Sequence, residues 1–106
     1  MARSEQVMPS HYAITVQPTD ASGVPDMTAP LEFNVSNHDD LFAVLRKVQA
    51  SEAVPRSESA EFIIGLKLLL EVMIRHRKDA LFQDLWPHMA DFMKRLKAIS
   101  PPAIAD

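Results

Sequence analysis

The sequence predicts an α+β domain of the order ββααα, two strands followed by three helices, with the middle helix long and central. Three observations carry that expectation. Two early segments alternate apolar and polar residues, the period of a half-buried strand. From residue 41 onward the apolar positions recur at helical spacing instead. Between Phe62 and Ile74 they become nearly continuous, interrupted by Gly65, Lys67 and Glu71.

The first strand is expected over residues 11–17, with Tyr12, Ile14 and Val16 on one side. The second is expected over 31–36, with Leu31, Phe33 and Val35 inward. The connection, residues 18–30, holds Pro18, Pro25, Pro30 and Gly23 and lacks a two-residue turn signature, so a mobile excursion is expected. Asn37 is read as the N-cap of the first helix, and Asp39 and Asp40 as charges on the positive end of its dipole. Leu41, Phe42, Leu45 and Val48 form its apolar face. It fades at about Ser51, and Pro55 enforces the break.

The second helix is expected from near Ser57 to about Lys78. Lys67, Glu71, Arg75 and Lys78 fall within roughly 80° of its circumference at 100° per residue, and apolar residues fill most of the rest. Such a helix needs cover on two or three sides, which places Leu69 in the core. Gly65 costs about 1 kcal/mol against alanine in a helix, which the close approach of a strand or helix would offset. Pro87 interrupts the last apolar pattern, so a short helix over 80–85 and a fresh one from Pro87 are expected. Residues 1–10 read as a disordered lead-in, 11–98 as one domain and 99–106 as a frayed tail. The strand faces are expected to pack on the long helix, with the first and last helices flanking it.

Composition limits function. A chain of 106 residues with 47% apolar and 24% charged residues suits one globular domain with a modest core. The net charge of −3 argues against a nucleic-acid partner, which calls for a basic surface. With no cysteine, disulfides, thiolate metal sites and cysteine nucleophiles are excluded. No export signal is read near the start, and the longest apolar segment falls short of the roughly 20 residues of a membrane span. A cytoplasmic protein with no membrane association is expected.

The combination Asn37-His38-Asp39-Asp40-Leu41-Phe42, then Gly65-Leu66-Lys67-Leu68, Glu71-Val72-Met73 and His76-Arg77-Lys78, then Phe92-Met93-Lys94 and Leu96-Lys97 resembles a group of small bacterial proteins classed as a domain of unknown function. The resemblance covers about residues 11–97. It implies a compact α+β module without an assigned activity, and it transfers no catalytic or binding residue.

The residues alone nominate few sites. Asn37 to Asp40 could bind metal or move protons, but consecutive positions at a helix start splay around its axis, so capping is the better reading. His11, His38, His76 and His88 lack metal-ligand spacing. No catalytic, metal or cofactor-binding residue is therefore nominated, and no cofactor is expected. Trp86, Phe82, Phe92, Met73, Met89 and Met93 could line a ligand pocket or an adaptable protein-binding groove, but they suit a core better. The run Arg75-His76-Arg77-Lys78 is the one concentrated basic patch. It suits the end of a helix dipole and is the candidate for an anion or an acidic partner. The leading expectation is a non-catalytic interaction module that forms a homodimer through strand edges or the surplus apolar face of the long helix. Binding at Arg75–Lys78 comes second, and an enzyme whose site forms only in the folded chain comes third.

Overall fold

The computed structural model describes residues 9–99. The expectations for residues 1–8 and 100–106 lie outside the described residues. Two antiparallel strands precede four helical segments, an α+β arrangement in the expected order. By their internal contacts the residues fall into two units, one ending at His38 and one beginning at Asp39.

In the first unit, β1 (Ser10–Val16) pairs with β2 (Leu31–Asn37). The register sets Tyr12 opposite Val35, Ile14 opposite Phe33 and Val16 opposite Leu31. These three cross-strand pairs share one face, because side chains alternate along a strand. Strand β1 begins at Ser10, one residue before the expected start. Asn37 is the buried last residue of β2.

The connection between the strands is more regular than its prolines and length suggest. Asp20 Oδ1 accepts hydrogen bonds from the Ser22 amide at 2.9 Å, the Ser22 hydroxyl at 2.9 Å and the Val24 amide at 3.0 Å. The Asp20 amide donates to the Val24 carbonyl, and the Asp26 amide donates to the Pro18 carbonyl. Gly23 supplies the left-handed backbone, φ 91°, that closes this turn. The expected excursion is therefore a second, smaller hairpin organised by one aspartate. Asp20 acts as the acceptor of an Asx turn, which carries no two-residue turn signature.

The second unit begins with α1 (Leu41–Ser51). Its N-cap is Asp40, not Asn37: Asp40 Oδ1 accepts from the amides of Phe42 at 3.0 Å and Ala43 at 3.3 Å. The strand runs on through Asn37 and so delays the helix. The helix ends as expected at Ser51, with Glu52 in the left-handed region, φ 56°, and its amide bonded to the Val48 carbonyl. A 3-10 turn, Arg56–Glu58, leads into α2 (Ser59–Arg75). Then come the one-turn α3 (Ala80–Gln83) and α4 (Trp86–Ile99), with Pro87 in the first turn of α4. The break expected around Pro87 is present, and the helical pattern persists through Ile99.

The core of this unit is small. Leu41 and Val48 from α1, Ile63, Leu70 and Met73 from α2, and Leu96 from α4 are its buried apolar side chains. Ile63 and Met73 are the most deeply enclosed of them.

Candidate functional site

Which side of α2 faces inward decides where a site can lie. The charged stripe read as its solvent side is partly turned in. Glu71 is buried, and the Lys67 side chain, 14% exposed, forms an ion pair with Asp39 just before α1. Aliphatic side chains face outward in exchange: Leu69 is 41% exposed, and Val72 and Ile74 are exposed as well. The expectation of a core position for Leu69 is therefore corrected. The wheel showed correctly that α2 is mostly apolar. It could not show that the residues preceding α1 hold an aspartate to receive Lys67, which draws the charged stripe inward.

An apolar groove of about 460 Å³ lies along this outward side. Phe62, Leu66 and Leu69 of α2 form one wall, and Met89 and Phe92 of α4 form the other. Leu85 and His88 complete the lining at the end where α4 begins. The walls touch where Phe92 meets Phe62 edge to face, with ring centroids 6.3 Å apart and planes at 77°. That geometry sets the positive edge of one ring against the negative face of the other. Gly65 lies in the groove, and a Cβ built on it meets nothing within 4 Å. The close intrachain approach expected at Gly65 is thus absent among the described residues. Phe92 and Met89, read from sequence as core, line this open surface instead.

The basic run closes α2. Arg75 is the last helical residue, and His76, Arg77 and Lys78 form the turn beyond it. All four are exposed. His76 and Arg77 have partners within the chain. The His76 Nδ1 lies 3.1 Å from Asp79 Oδ2, and the Arg77 guanidinium sits 4.9 Å above the Trp86 ring. The helix dipole places partial negative charge here, which favours these cations and disfavours a small free anion.

The histidines are scattered: His11 in β1, His38 after β2, His76 at the end of α2 and His88 in the groove. Among the described residues, no three histidine, aspartate or glutamate side chains gather in a way that could hold a metal ion. No helix of the described residues is long and apolar enough to cross a membrane.

Comparison with known proteins places this architecture. The crystal structure of a protein of unknown function from Pectobacterium atrosepticum superposes with a TM-score of 0.75. Its sequence is 35% identical, and the match covers 86% of this chain and 99% of that one. No curated protein matches the sequence. The model of DUF3861, a domain of unknown function, matches residues 10–98, almost the span of the resemblance. The chain belongs to the DUF3861 family.

Proposed function

We propose that the protein is a small interaction module that works as a homodimer through the outward side of α2. The supporting observation is the inversion of that helix, with Lys67 and Glu71 turned in and Gly65, Leu69 and Val72 turned out. Leu69 and Phe92 keep 41% and 40% of their surface in water, so a partner that covers the rest gains on the order of 1 kcal/mol for each. Apolar side chains gathered in one exposed groove, rather than scattered singly, favour an interaction surface. A twofold pairing covers it with the one partner always present at matching concentration, and twofold dimers are the commonest oligomers.

Light scattering across a concentration series tests the reading. The expected mass is twice the 11.9 kDa of the chain. A mass of one chain throughout, unchanged from micromolar to millimolar protein, overturns it.

The second reading is the binding of an acidic partner at Arg75, His76, Arg77 and Lys78. Its support is the exposure of four consecutive basic or titratable side chains at one helix end. An acidic protein segment suits this place better than inorganic phosphate, because the helix dipole opposes a small anion and a segment adds contacts of its own.

A further inference from the structure

One wall of the apolar groove lies on α2, and the basic run starts at the last residue of that helix, Arg75. Residues 58, 61, 65, 68, 72 and 75 recur at alternating spacings of three and four, the spacing of a helical seam. Along α2 and its entry this seam reads Glu58, Glu61, Gly65, Leu68, Val72 and Arg75, with Leu69 beside it. Glu58, Glu61, Gly65, Leu69, Val72 and Arg75 are all exposed. It is acidic at one end, apolar in the middle and basic at the other.

A seam with that order complements itself when reversed. We propose that the second copy of the chain docks its α2 antiparallel along this one, with the twofold axis crossing between Gly65 and Leu69. This rests on the homodimer reading and names its geometry. Reversal about that point sets Gly65 of each copy opposite Leu68 and Leu69 of the other. The absent side chain leaves a hole, and Leu69 is the knob that fills it. Among the described residues, apart from its own neighbours and the backbone of α2, nothing comes within 4 Å of where a Gly65 Cβ would stand, which leaves room for the second copy. Glu58 meets Arg75 and His76 of the second copy, twice over by symmetry, and Glu61 falls one turn inward beside Val72. A parallel pairing would instead set acid on acid and base on base, and the two helix dipoles would align unfavourably. The acidic partner that the Arg75–Lys78 run suits is, on this geometry, the start of α2 in another copy.

Charge reversal with rescue tests the proposal on the full chain. Glu58→Lys sets a lysine against the second copy's arginine and is expected to weaken dimerisation about tenfold or more. Arg75→Glu is expected to do the same. The double variant Glu58→Lys, Arg75→Glu restores opposite charges across the axis and is expected to recover most of the lost affinity. Both residues are exposed, so the melting of the dissociated chain should change little, which circular dichroism at low concentration checks. As a second handle, Gly65→Leu fills the hole: it is expected to abolish the dimer while keeping or raising the helical content of the monomer. If the wild-type chain is monomeric, the homodimer reading falls and this geometry with it. If it is dimeric but neither single reversal nor Gly65→Leu weakens it, the dimer stands and the antiparallel α2 seam is overturned. The seam is overturned equally if the single variants dissociate and the double variant is weaker still.

Discussion

The guanidinium of Arg77 lies 4.9 Å above the ring of Trp86, fastening the turn after α2 to the first residue of α4. Cation–π contacts at exposed sites contribute about 0.5–1 kcal/mol. Arg77→Ala is expected to lower stability by about that amount, and Arg77→Lys to lose part of it. Trp86 is the chain's one tryptophan, so its fluorescence reports the change directly. An Arg77→Ala protein with wild-type emission and melting would show that the contact does not persist in solution.

The ion pair of Lys67 with Asp39 joins the inward side of α2 to the residue before the cap of α1. One partner is nearly buried, 14% exposed, and the other is half in water at 48%. The pair should therefore rank between a surface bridge and a buried one. Lys67→Ala is expected to cost about 1–2 kcal/mol in chemical denaturation, more than a surface pair and less than a fully buried one. A loss below a few tenths would mean that solvent screens the pair almost completely.

Met73 and Leu69 lie one helical turn apart on α2 and should respond oppositely to substitution. Met73 is fully enclosed, 0% exposed, so Met73→Ala is expected to cost about 2–5 kcal/mol. Leu69→Asp is expected to leave a cooperatively melting chain and to remove self-association. Thermal melts and light scattering on the two variants check both statements. A Leu69→Asp chain that fails to fold would return Leu69 to the core.

Asp20 carries the turn between the strands through hydrogen bonds from Val24 and Ser22, and these hold its carboxyl pKa below the ordinary value of 3.8. By linkage, a depressed folded pKa contributes stability that is present above the unfolded value. That contribution is lost as pH falls below about 3.8 through the lower folded pKa. A carbon-detected NMR titration should show the Asp20 carboxylate protonating below the ordinary value of 3.8. In Asp20→Ala, the amides of Ser22 and Val24 should lose exchange protection at neutral pH.

The order and kind of the elements were legible in the sequence because they rest on local signals. Alternation marked both strands to within a residue, and Pro55 and Pro87 marked where helices stop and restart. The rotation of α2 about its axis was not legible. A helix whose apolar residues cover most of its circumference has several nearly equivalent ways to pack. The rotation adopted pairs Lys67 with Asp39, which lies far earlier in the chain, ahead of α1. The groove was hidden for the same reason, since Phe62 and Phe92 meet only after the α3 turn has brought α4 back. The arginines and lysine of the 75–78 run were visible as a patch. That His76 and Arg77 are engaged by Asp79 and Trp86 was not.

The hairpin register also bears on how the chain reaches this state. Strand β1 pairs with the next strand in sequence through a turn organised by Asp20, and α2 packs on the helix just before it. Contacts of this kind close short loops, so little chain entropy is lost before they form. Proteins dominated by such near-neighbour contacts fold on the order of microseconds to milliseconds. A nascent chain could thus form its hairpin while the helices are still being made. The apolar seam of α2 becomes available only after the hairpin and α1 have emerged, because α2 follows them in the chain.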